Sequence, residues 1–171
     1  MNLADLLTKK QAVILERWFQ WFLETYPAET ARFMREEKNR FANPVGSSVY
    51  QGIEGLCQEL LQGMELDRVY PLLDPIVRIR AVQDFPPSRA VAFIFALKKV
   101  IFEELESEIR GGQISVEELL ELESRIDNLA LLSFDIYTQC REKVSQIRVE
   151  EIKRRSERLL QRANLVVDPS E

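Results

Sequence analysis

The chain has 171 residues, 46% of them hydrophobic and 30% charged, with a net charge of −5. That is enough for one well-buried core and too little for two ordinary domains; six Gly, seven Pro and no low-complexity tract exclude collagen-like, disordered and repeat-array chains. The absence of histidine excludes Ser-His-Asp and Cys-His catalysis, His-based zinc or iron sites and haem on a proximal His, while two cysteines are too few for a thiolate zinc site or an iron–sulfur cluster.

The first element is a helix over Leu3–Thr25, with apolar residues at 3, 6, 7, 14, 15, 18, 19, 22 and 23 and neither Gly nor Pro. Pro27 ends or redirects it, since the residue before a proline resists helical geometry. A short charged helix is predicted over Ala28–Lys38. Asn43-Pro44 is a start signal, because Asn caps free amides and Pro is tolerated at the first helical position. That helix runs to about Gln62, stops at Gly63, and carries the stripe Val49, Ile53, Leu56, Cys57, Leu60 and Leu61. Gly52 and Gly55 within it are read as points of close helix approach; no strand precedes them and their spacing does not suit a phosphate cradle.

Asp67 is the predicted cap of the next helix, which carries Val69, Leu72, Leu73, Ile76, Val77 and Ile79. Pro71 falls in its first turns, and Pro75 is expected to kink or split it. A turn at Asp84–Ser88, with Asp84 or Ser88 as cap, opens a helix from about Pro87 to Arg110 that Gly111-Gly112 ends. Ser115-Val116-Glu117-Glu118 fits a capping box, and neither Gly nor Pro follows until after Val167. With no strand signal of any strength, the class is all-α.

Two of these helices have a surplus of apolar surface. Ala90–Leu97 with Val100, Ile101 and Phe102 is apolar almost all round, and Ile126, Leu129–Leu132, Phe134, Ile136, Tyr137 and Cys140 make the last helix similarly broad. Either both helices lie centrally in one globule, or each faces the core on one side and a twin subunit on the other; the second reading is adopted. At about 100° per residue, Phe93, Leu97 and Val100 fall together, with Phe95 and Phe102 on a different side. The predicted dimer interface is therefore Phe93, Phe95, Leu97, Phe102, Leu132 and Ile136, without a choice between the two phenylalanine faces.

A helix over Ser115–Arg162 would be about 72 Å long, against roughly 40 Å for a compact body of this size, so it must break or overhang. Apolar residues thin after Val144, which divides the chain into a body, residues 1–140, and a charged helical extension, residues 141–171. Charge is uneven along the same stretch. Glu103–Glu123 holds eight acids and one base, Arg141–Arg162 eight bases and four acids. Glu150, Glu151 and Glu157 dilute the basic field and the global charge is acidic, so no nucleic-acid partner is expected. The acidic stretch lacks any Glu-x-x-His pattern and is read as a solvated surface, not a metal site.

Cys57 and Cys140 lie on apolar stripes and are read as buried, inert thiols. Arg78 and Arg80, beside Gln83 and Asp84, form the most polar constellation near a buried helix; they are either a structural ion-pair cluster or the seat of an anionic ligand group. No nucleophile–base constellation appears, so no enzymatic activity and no cofactor is expected. The longest apolar run, Ala90–Leu97, is far short of a membrane span, and no cleavable leader is visible. A cytoplasmic protein, not embedded in a membrane, is the expectation.

The run Val77 to Lys98, VRIRAVQDFPPSRAVAFIFALK, resembles the signature of the N-terminal domain of RsbR/RsbRD proteins, the RsbT co-antagonists of stressosomes. Glu16-Arg17-Trp18, Thr25-Tyr26-Pro27, Asn43-Pro44 and Gly52 agree, and the similarity covers roughly residues 5 to 140. The resemblance implies a globin-like helical fold without haem, dimeric, serving as a sensory or protein-interaction input. In stressosome proteins such a domain precedes a STAS domain carrying the phosphorylated threonines. The sequence stops at Glu171 after the arm, so a standalone module without that domain is expected, and the family supplies no catalytic residue to carry over. The function expected is a homodimeric signalling module that binds a partner protein or a small apolar or anionic ligand; the alternative is an accessory subunit that docks a larger complex through its C-terminal helix.

Overall fold

The computed structural model describes residues 2–163. It holds seven helices, with no strand among the described residues: α1 (Leu3–Leu23), α2 (Ala28–Glu36), α3 (Pro44–Gln62), α4 (Leu66–Val82), α5 (Pro87–Glu104), α6 (Glu106–Arg110) and α7 (Val116–Arg162). The final eight residues of the predicted 141–171 extension lie outside the described residues.

Local chemistry sets the boundaries that the sequence makes plain. All nine apolar positions of the α1 stripe are buried. The Asn43 side chain accepts from the Gly46 amide at 2.9 Å, and Pro44 takes the first position of α3. Gly63 ends α3 with φ 106°, a left-handed conformation that costs glycine nothing. Ser115 and Glu118 complete the capping box of α7.

Four expectations need correction. α4 begins one residue before Asp67, after Glu65, and has no side-chain cap. It also runs unbroken through Pro71 and Pro75, because Val69, Leu73, Ile76 and Val77 are locked in the core and outweigh the lost backbone bonds. α5 starts after Pro86 with no side-chain cap, and Asp84 is engaged elsewhere. Finally, the predicted Pro87–Arg110 helix divides at Leu105, a fully buried residue, into α5 and α6. There the carbonyl of Glu104 accepts a bond from the Lys10 ammonium.

α1 packs across α5 and α3, α3 lies along α4, and α7 is held by both α4 and α5. At the centre Trp18 donates its indole N–H to the Phe93 carbonyl at 2.6 Å and stacks on that ring at 6.1 Å. Phe22 meets Phe93 edge-on at 5.5 Å.

The two α3 glycines face α4, as their spacing suggests. A Cβ at Gly52 would lie 2.8 Å from the Leu72 carbonyl oxygen, whereas one at Gly55 would meet only the movable end of the Leu72 side chain. Gly52→Ala should therefore lose more in forced separation of α3 and α4 than the roughly 1 kcal/mol it gains in helix propensity, with a net loss of about 1–3 kcal/mol. Thermal unfolding checks this: a variant that melts higher than the parent would mean that α3 and α4 are not in backbone contact.

α7 is one continuous helix of 47 residues, about 70 Å. Its last buried residue is Cys140, and from Ser145 to Ala163 every side chain is exposed. Among the described residues no helix is long and apolar enough to cross a membrane.

Candidate functional site

The outer face of α5 and α7 carries large apolar side chains in solvent. Phe95 is 52% exposed, Phe134 52% and Leu131 65%, with Phe102 half-buried on the same side of α5 as Phe95. Lys98 on α5 and Asp127 on α7 pair at 2.7 Å across this face. Phe93, Leu97 and Ile136, expected at the same interface, are instead buried inside the subunit. The reason is the rotation between Phe93 and Phe95 along α5: the first points at Trp18 and Phe22, so the second must point away. Of the six predicted interface residues, the structure leaves Phe95 in solvent and Phe102 half-buried on the outside, while Leu132 packs against the core. It adds Leu131 and Phe134, whose exposed side follows from the same helical count once the inner face is known.

The two arginines of the polar constellation part company. Arg78 lies on the surface and grips Asp74 one turn earlier at 2.7 Å, and that hydrogen bond raises its already high pKa. Arg80 is fully buried and, among the described residues, pairs with no carboxylate. Its guanidinium carbon lies 3.9 Å from the Phe22 ring centroid, with Phe85 at 4.9 Å and Phe93 at 5.2 Å. It donates to the Arg89 carbonyl at 2.9 Å and to the Thr25 hydroxyl at 2.8 Å. The Thr25 hydroxyl in turn donates to the Phe22 carbonyl at 2.7 Å. Nε has no partner.

Arg80 is thus not half of an ion pair. Its counter-charge is diffuse: the electron-rich faces of aromatic rings and the carbonyl end of α1, where the helix dipole is negative. Burial pulls its pKa down to about 10.

The turn after Arg80 is pinned from both sides. Tyr26, beyond α1, donates its hydroxyl to Gln83 at 2.9 Å. From α7, Tyr137 donates to the Phe85 carbonyl, while Arg141 donates to the Ala81 carbonyl at 3.1 Å and pairs with Asp84. Asp84 holds a left-handed φ of 59°, which Asp tolerates better than most residues. The end of α1, the α4–α5 turn and the base of the arm therefore form one hydrogen-bonded corner. No local pattern announces it, since its partners lie more than 50 residues apart.

The acidic stretch is less idle than a solvated surface. Arg17 binds Glu103 and, at 2.6 Å, Glu104. Lys10 pairs with Glu108 at 2.9 Å, and hydrogen bonds from Ser107 and Lys10 hold that carboxyl at about 2. Glu118 accepts from the Leu3 amide at 3.0 Å. These acids tie α1 to α5, α6 and α7. Among the described residues no cluster of three or more His, Cys, Asp or Glu is placed to hold a metal ion.

Cys57 and Cys140 are buried free thiols, and burial pushes Cys57 up to about 12. The apolar cleft beside Cys57, lined by Leu7, Ile14, Leu60 and Ile101, holds only about 10 Å³, the room of one water. A larger depression of about 300 Å³ lies between α1, α2 and α3, edged by Arg35, Lys38, Asn43 and Tyr50.

Comparison with known proteins gives one family. The model described as "RsbT co-antagonist protein rsbRD N-terminal domain" matches residues 12–152, which takes in the body and the first part of the arm. No curated protein and no solved structure matches.

Proposed function

Because the chain belongs to the RsbT co-antagonist protein rsbRD N-terminal domain family, we propose that it is the input module of a stress-signalling system, working as a homodimer joined through the α5–α7 face and presenting its state to a partner protein along the α7 arm. The observation that carries this reading is the build of α7. One uninterrupted helix is core on one side from Leu122 to Cys140, exposed and apolar on the other, and wholly exposed from Ser145 onward. A displacement of its buried half travels to the arm as a rigid movement, because no Gly or Pro interrupts the helix. The Tyr137 and Arg141 bonds fix the point from which the arm leaves the body.

Phe95, Leu131 and Phe134 support the homodimer. Exposed apolar groups clustered on adjoining helices are what an interface, more than a free surface, requires. The double variant Phe95→Glu, Leu131→Glu changes only side chains that stand in solvent, so the subunit should fold and melt as the parent does. Its self-association should weaken roughly tenfold or more, as charge is forced into an apolar contact. Sedimentation velocity across a concentration series reads the change. Unaltered association of a normally folded variant would remove the α5–α7 face from the interface.

A further inference from the structure

α2 is thinly anchored, since of its nine residues only Met34 is buried. A clamp at its C-terminal end holds it instead. The buried Asn43 side chain donates to the Met34 carbonyl at 3.0 Å and the Glu37 carbonyl at 3.1 Å, while its oxygen accepts from the Gly46 amide. A Cβ at Gly46 would lie 2.8 Å from the Met34 carbonyl oxygen, so the end of α2 rests on the backbone of the first turn of α3.

The depression of about 300 Å³ opens between this clamp and α1. Its floor is apolar: Phe19 and Met34 are buried, and Tyr50 meets the Phe19 ring edge-on at 5.1 Å. Polar groups with spare capacity border that floor. Among the described residues the Tyr50 and Ser47 hydroxyls form no hydrogen bond, and neither Lys38 nor Arg35 pairs with a carboxylate. Arg35 donates to Gln20 and keeps its other N–H groups free. Burial, with Glu54 and Glu16 adding to it, pushes the Tyr50 hydroxyl up, so it stays protonated and able to donate.

Two acids line the same depression. Glu37 is occupied by the Asn39 amide at 2.7 Å, which leaves Glu16 on α1 as the acid without a partner among the described residues. Free donors, two of them cationic, therefore outweigh free acceptors. An occupant that fits brings acceptors with a single negative charge at one end and an apolar body at the other.

We infer that the depression between α1, α2 and α3 is a binding site for a small amphipathic carboxylate. Its apolar body lies on Phe19, Met34 and Tyr50, and its carboxylate accepts from Lys38 and Arg35. Such a ligand touches α2 and the body at once, and so adds a second anchor to the one that Met34 supplies. The site stands on this geometry alone; its use as the signal of the input module rests on the function proposed above.

Phenylacetate is a suitable probe, with phenethylammonium and inorganic phosphate beside it, each titrated into the ¹⁵N-labelled full chain at constant ionic strength. Phenylacetate should move the Met34, Gly46 and Ser47 amide signals saturably in the millimolar range, and the other two should not. Lys38 and Glu16 are exposed, so Lys38→Met and Glu16→Gln should leave the rest of the spectrum in place. The first should weaken phenylacetate binding roughly fivefold, and the second should tighten it about twofold. No saturable shift up to about 50 mM would overturn the site. Equal binding of phenethylammonium would overturn the carboxylate, and equal binding of phosphate would overturn the apolar floor. Unchanged affinity in both variants would place the bound probe elsewhere and overturn the site as well. The chain's mass in solution, which tests the homodimer, is a separate measurement that none of these outcomes alters.

Discussion

Replacing Arg80 with alanine should lower the unfolding free energy by about 3–5 kcal/mol, enough to threaten the fold of a domain of this size. The side chain is wholly buried and fills the space between Phe22, Phe85 and Phe93. Its removal leaves a cavity among the rings and strips a donor from the Thr25 hydroxyl and the Arg89 carbonyl. The charge itself works in the opposite direction. A guanidinium pulled down to about 10 is penalised by its surroundings, so Arg80→Met, which keeps volume and gives up charge, should recover roughly half of the loss. Arg80→Lys should do no better than Met, because an ammonium neither stacks on Phe22 nor reaches two acceptors in a fork. Urea denaturation followed by circular dichroism ranks the three. An alanine variant within about 1 kcal/mol of the parent would show that the corner is not held by Arg80.

The second large effect is alkaline. The Cys57 thiol is raised from its ordinary 9 to about 12 by burial, so the folded chain keeps this proton where the unfolded chain releases it. That contribution is complete below pH 9 and is lost as pH climbs towards 12, at about 1.4 kcal/mol per unit. Near pH 10.5 it amounts to about 2 kcal/mol. Tyr26 and Tyr50, both raised chiefly by burial, act in the same direction, while the lowered Arg80 acts against them. Comparing the parent with Cys57→Ala isolates the thiol, because the other groups are common to both chains. The variant should lose less stability between about pH 8 and 10.5, by roughly 2 kcal/mol in urea unfolding. Equal losses in the two chains would mean that Cys57 ionises within the fold without penalty.

Both effects centre on groups whose importance is only partly legible in the sequence. Cys57 is marked as buried by its place in the α3 stripe, and the structure adds how hard that burial opposes its ionisation. Arg80 is different. Its neighbours in sequence, Gln83 and Asp84, suggest an ion-pair cluster, but its partners are main-chain carbonyls and aromatic rings from α1 and α5 that no local pattern announces. Boundaries behave in the same way. Asn43, Gly63 and Ser115 act on backbone groups within a few residues, so they read correctly. Asp84 looks like a cap and is instead held by Arg141, 57 residues away. Along α5 the sequence shows two apolar sides but not which one meets Trp18; only packing assigns Phe93 inward and Phe95 outward.

The outward side of α5 and α7 underlies the proposed function, and the solution mass of the intact, unmodified chain tests it most directly. Size-exclusion chromatography with multi-angle light scattering at micromolar concentration should give twice the chain mass of 19.9 kDa. A single species of 19.9 kDa under those conditions would contradict the homodimer and leave Phe95, Leu131 and Phe134 without the partner assigned to them.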